Sequence, residues 1–174
     1  MLPHPRSQIV VSLCLLGLCL LTCGCGQVSR PAASQAADRE IRARIARIRE
    51  AILAKSTAGI IASATADWTF AGADGTPIDR AAFITRTEAL FARVRTIESL
   101  ETQVDRISWT SRVAAEVEIT QTMVRTEPAA DSGAEIRLRL RYRERHTWVH
   151  TNEGWRVQRV SFIGQPERTI LAHP

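Results

Sequence analysis

Between Ile136 and Trp148 the chain alternates two surfaces residue by residue. Ile136, Leu138, Leu140, Tyr142, Glu144, His146 and Trp148 fall on one side, and Arg137, Arg139, Arg141, Arg143 and Arg145 on the other. Side chains on a β-strand point to opposite faces with a period of two, so the first row packs or lines a cavity while the arginine row stays wet. The stretch is a long, bent antiparallel strand. Whatever the chain folds into must place that inward row against a core.

The N-terminus has a different logic. Arg6 precedes an apolar run from Ile9 to Leu21, too short for a stable membrane anchor and the right length for the hydrophobic core of a secretory signal. Leu21-Thr22-Cys23-Gly24-Cys25-Gly26 then resembles a bacterial lipobox, in which Gly24 precedes a lipidated Cys25, although Thr22 stands where an aliphatic residue is usual. An ordinary cleaved signal is the alternative. All four cysteines, Cys14, Cys19, Cys23 and Cys25, lie in or beside this segment, which excludes a disulfide framework or a thiolate metal site from the mature domain. Residues 26–37, rich in Ser, Ala and Gln with Pro31, are expected to form a flexible tether. The chain is thus expected in the cell envelope, on the periplasmic side, held to a membrane through Cys25.

The formal net charge is +5, carried almost wholly by arginine, with Lys55 the single lysine. The arginines are scattered along the chain rather than gathered in one run, and no nucleic-acid-binding motif accompanies them, so nucleic acid is not an expected partner.

Within the remaining length, which suits one domain with one core, Ile41, Ile45, Ile48 and Ile52 form one stripe of a helix over residues 38–55. Ser56 or Thr57 caps a second helix running through Ile60 and Ile61 towards Ala66, and Asp74-Gly75 marks a small hairpin between residues 68–70 and 76–78. Asp79 caps a third helix, with Phe83, Leu90, Phe91 and Val94 on one face. The period then changes to two, and residues 104–109, 113–124, 136–151 and 155–162 read as four strands of an antiparallel meander. In the second of these, Val113, Ala115, Val117, Ile119, Gln121 and Met123 form the apolar row, and pairing with the next strand sets Glu116 and Glu118 beside Arg145 and Arg143.

This order of elements resembles the NTF2-like (cystatin-type α+β) superfamily. The wording Ala64-Thr65-Ala66-Asp67-Trp68-Thr69-Phe70, Asp74-Gly75-Thr76-Pro77-Ile78-Asp79-Arg80-Ala81-Ala82-Phe83, Arg145-His146-Thr147-Trp148-Val149 and Gly154-Trp155-Arg156-Val157 is similar to its SnoaL-like and DUF4440-like branches. The resemblance implies an α+β cone over residues 38–165, with three N-terminal helices on a curved four-stranded antiparallel sheet, a small extra hairpin, and a C-terminal tail at 166–174. It implies a chamber lined by Trp68, Phe70, Trp109, Gln121, Tyr142, Glu144, His146 and Trp148. Superfamily chambers serve isomerases, dehydratases and binding domains alike, so fold alone assigns no function.

Glu144 and His146 carry the sharpest chemistry. Two apart on one strand face, their Cα atoms are about 6.5 Å from each other, close enough to share a hydrogen bond or a ligand. Burial pushes both groups towards neutrality while pairing does the reverse, a balance suited to a general acid or base. Related enzymes use a His-carboxylate pair or an Asp base with Tyr donors, which nominates Tyr142 and Asp67 beside them. His146 and His150 share a strand face without a third imidazole, so neither a metal nor a cofactor is expected. The resulting expectation is a chamber for a small apolar ligand or a protein partner. The alternatives are a cofactor-free isomerase or dehydratase, and a homodimer joined through the outer sheet face at Arg139, Arg141, Arg143, Glu116, Glu118 and Thr120.

Overall fold

The computed structural model describes residues 32–130 and 132–171. The export signal and Cys25 lie outside the described residues. Helix α1 spans Ala32–Leu53, so residues 32–37, expected in the tether, are helical instead. Four alanines among those six residues explain the difference, because alanine has the highest helix propensity and the helix behind it supplies the nucleus. Its isoleucine stripe faces inward as expected, with Ile41 wholly buried and Ile45 nearly so, each contributing about 1.5 to 3 kcal/mol.

A short α2, Thr57–Ile61, follows, capped by the Ser56 hydroxyl on Gly59 N–H. It ends sooner than the sequence suggests, and residues 64–66 already belong to strand β1, Ala64–Ala71. Strand β2, Pro77–Asp79, closes the expected Asp-Gly hairpin. Asp79 then accepts from Ala82 N–H at 2.8 Å to cap α3, Arg80–Arg93, as its spacing predicted.

Four long strands make up most of the sheet: β3 (Thr96–Trp109), β4 (Ala114–Pro128), β5 (Glu135–Thr151) and β6 (Gly154–Phe162). Strand order is β2-β1-β6-β5-β4-β3, and β1 joins β6 in parallel, so the hairpin extends the main sheet rather than standing apart from it. Strand β3 begins eight residues before the expected Val104, because register breaks between Ile97 and Ser99 and between Val104 and Arg106 interrupt the alternation. Such bulges bend a strand and increase its twist, which curls the sheet around the helices. The expected tail contains a further strand, β7 (Glu167–Leu171), paired with the first half of β5.

Strand β4 alternates buried and half-buried residues along its length, and its inward row runs from Ala115 through Gln121 and Met123 to Arg125 and Glu127. Val113, expected in that row, precedes the strand and is exposed. On the outer face Glu118 pairs with Arg145 in register and meets Arg106 at 2.8 Å, Arg145 at 3.1 Å and Arg143 at 3.6 Å. Glu116 lies opposite Ser108 and Thr147, not beside an arginine as expected.

Helix α1 is fastened to the sheet at the β5–β6 turn. Glu40 accepts from Trp155 N–H at 3.1 Å and from Arg44 at 2.9 Å, while Arg44 also donates to Glu153 O. Gly154 has φ +89°, and a Cβ there would meet Glu40 Oε1 at 2.5 Å. Only glycine satisfies both the backbone and the close approach.

Candidate functional site: the chamber of the cone

Helices and sheet enclose a cavity of about 210 Å³. Ile48 and Ile52 of α1, Ile60 and Ile61 of α2, and Leu90 and Phe91 of α3 form its helical, apolar side. Opposite them, ring contacts run from Trp68 to Phe83 (4.7 Å), Phe83 to Phe70 (5.4 Å), Phe70 to Phe162 (5.3 Å) and Phe162 to Tyr142 (5.4 Å). Edge-to-face and tilted pairs of this kind are favoured by the ring quadrupole and fix the wall's shape.

The polar groups gather on the sheet wall. Strand alternation turns Tyr142, Glu144 and His146 of β5 inward, and the β4–β5 register sets Gln121 opposite Tyr142. Glu144 Oε2 accepts from Gln121 Nε2 at 3.1 Å and lies 2.8 Å from His146 Nε2. Tyr142 donates its hydroxyl to Gln121 Oε1 at 3.4 Å. Glu144, His146 and Gln121 are all buried. The other ring nitrogen, His146 Nδ1, is buried without a partner. Burial, with the nearby Glu144 charge, pushes the Tyr142 phenol well above its ordinary value, and Arg125 only partly opposes this. Tyr142 therefore remains a neutral hydroxyl at any physiological pH.

The structure brings together Trp68, Phe70, Gln121, Tyr142, Glu144 and His146 as expected. It sets the other three nominated residues elsewhere. Trp148 is fully buried in the packed cluster with Ile41 and Ile45, and stacks behind His146 with ring centroids 6.4 Å apart. Trp109 packs edge-on against Trp155 at 5.2 Å, away from the cavity lining. Asp67 is exposed and accepts from Gln158 at 2.8 Å, because the neighbouring Trp68 takes the inward position on β1. The neighbouring Thr65 hydroxyl and the hydrogen bond from Gln158 hold its carboxyl below the ordinary value.

Sequence reasoning missed Phe162, Met123 and Thr87 as lining residues. Phe162 had a usable signal, since the β5–β6 register sets it opposite Glu144. Among the described residues, no group of three His, Cys, Asp or Glu side chains is arranged to hold a metal ion, and no helix is long and apolar enough to cross a membrane. His150 lies exposed on the Trp155 ring, 5.4 Å between centroids, rather than beside His146.

Chemically, the arrangement offers a ligand an apolar slot with one hydrogen-bonding wall. A carboxylate and an imidazole sharing one short contact in a water-poor site also have the parts for moving a proton.

No family model matches this sequence, and no curated protein matches it. Solved structures do match. A protein from Novosphingobium aromaticivorans, provisionally called a scytalone dehydratase, superposes with a TM-score of 0.68 at 14% identity, covering 82% of this chain and 92% of its own. A ketosteroid isomerase-like protein from Erwinia carotovora atroseptica gives 0.56 at 16% identity, over 76% and 95% of the two chains. An NTF2-like protein from Cytophaga hutchinsonii gives 0.57 at 12% identity, over 73% and 97%. At such identities the likeness concerns the fold, and in fold this chain is an NTF2-like α+β cone.

Proposed function

We propose that the domain binds a small, largely apolar ring compound in its chamber, with an O–H or N–H group of the ligand directed at the Glu144 carboxylate. One observation carries this reading: a cavity of about 210 Å³ whose lining is apolar except for Thr87 of α3 and the hydrogen-bonded Gln121, Tyr142, Glu144 and His146 on one wall. Apolar cavities with a few convergent polar groups are the usual form of a small-molecule site. An apolar protein cavity of about 150 Å³ accommodates benzene, so this chamber suits a single substituted ring. The carboxylate disfavours a ligand that is itself an acid.

The test is equilibrium binding of p-cresol and toluene, which differ by one hydroxyl. We expect p-cresol to bind more tightly, and Glu144→Leu to remove its advantage while leaving toluene binding in place. Equal binding of the two by the native domain, or none by either, overturns the reading.

A second reading is an isomerase- or dehydratase-type enzyme in which Glu144 and His146 move a proton and Tyr142 polarises an oxygen. The 2.8 Å contact between His146 and Glu144 favours it, as do the names of the dehydratase and isomerase-like proteins that share the fold. Loss of turnover in His146→Ala with ligand binding retained supports catalysis; parallel loss of both, or of neither, counts against it.

We further propose export and anchoring through Cys25, supported by the apolar run and lipobox-like wording before it. Cys25→Ser is expected to release the protein from the membrane fraction. An unchanged distribution would contradict this.

A further inference from the structure

The inward row of β4 does not end at the chamber. It continues past Met123 to Arg125 and Glu127, which are 9% and 5% exposed. Their side chains form an ion pair at 2.7 Å, yet Arg125 Nε is buried without an acceptor. Glu127 also lines a second concavity, of about 460 Å³, together with Arg93, Pro128, Ala129, Ala130 and Arg168. Arg168 stands 3.9 Å from Glu127 Oε1. Arg93 lies in the last turn of α3 and, among the described residues, has no carboxylate within 4.0 Å.

Arg125 and Arg168 thus approach one carboxylate, which Arg125 neutralises from behind, while Arg93 lines the same concavity. The negative end of α3 does not cancel the excess, because Lys55 Nζ donates to Val94 O and, at 2.9 Å, to Arg95 O. A concave site with an unspent pair of cations suits an anion with several oxygens, since each guanidinium presents a planar fork of donors to two of them.

We propose that this second concavity is an oxyanion subsite, taking a phosphate or carboxylate group between Arg93 and Arg168 over the Arg125–Glu127 pair. The site stands apart from the chamber reading and does not depend on it. The anion is either a small soluble one or a lipid headgroup, which share this chemistry.

The experiment follows arginine Nε–Hε resonances while inorganic phosphate replaces chloride at constant ionic strength. A parallel measurement records cosedimentation with phosphatidylcholine vesicles, with and without phosphatidic acid. We expect saturable shifts at Arg93 and Arg168 or acid-dependent vesicle binding, weakened about tenfold or more by R93Q with R168Q, as loss of charge-assisted bonds requires. Glu144→Leu should leave the effect intact. Phosphate response alone assigns a soluble anion, and vesicle response alone a headgroup. No saturation in either arm overturns the proposal, as does an equal loss in R139Q, which marks diffuse surface charge.

Discussion

Glu144 Oε2 is the atom on which the chamber's polar wall is organised, since both Gln121 and His146 meet it. Tyr142 is joined less closely, at 3.4 Å. Tyr142→Phe is therefore expected to cost less than about 1 kcal/mol by urea denaturation, within the range for a single neutral hydrogen bond. Arg125 differs in kind. Arg125→Met strands the buried Glu127 carboxylate and is expected to cost about 3 kcal/mol or more, whereas the double change with Glu127→Leu restores much of the loss. A double variant no more stable than the single one would contradict that account. The inward identity of Gln121, Tyr142, Glu144 and His146 was legible in the sequence because a period of two fixes phase. Phase does not report depth along the cone. Trp148 shares the phase of His146, yet sits in solid core with Ile41, and Trp109 is displaced in the same way.

At the level of elements, the clearest dependence is the seam between α1 and the β5–β6 turn. Gly154→Ala must accommodate both a positive φ and a Cβ 2.5 Å from Glu40 Oε1; we expect a loss of about 1 to 3 kcal/mol, read as a lower urea midpoint. The same seam has a pH signature. Burial pushes the Glu40 carboxyl up, but the hydrogen bonds from Arg44 and Trp155 and the charges of Arg44 and His150 outweigh it, leaving a net depression. A carboxyl depressed on folding contributes stability above its unfolded value, and that contribution disappears as the pH falls through the folded value. The stability difference between native protein and Glu40→Gln should therefore be largest near neutrality and shrink as the pH drops through about 4. A difference that stays constant with pH would show that Glu40 acts only by packing. Capped helices and clean alternation made α3, β4 and β5 legible. The first half of β3 was not, because its bulges break the period. Strand β7 was not either, since Ile170 on it is 66% exposed and leaves no burial pattern to read.

For the molecule as a whole, the curled sheet and three helices account for both the packed end of the cone, around Trp148 and Ile41, and the hollow middle. Along its wall the rings of Trp68, Phe70, Tyr142 and Phe162 on the strands and of Phe83 on α3 meet one another at 4.7 to 5.4 Å. A chain built this way was recognisable as a cone from the order of its elements, but its cavity was not measurable without the register between strands. The most direct test of the account is where a ring compound settles. Intermolecular NOEs should connect p-cresol bound to the domain with the methyl groups of Ile60 and Met123 and the ring of Phe162, all of which line the cavity. NOEs confined to exposed Ile170 or Val113, with none to those three, would contradict a ligand-holding chamber.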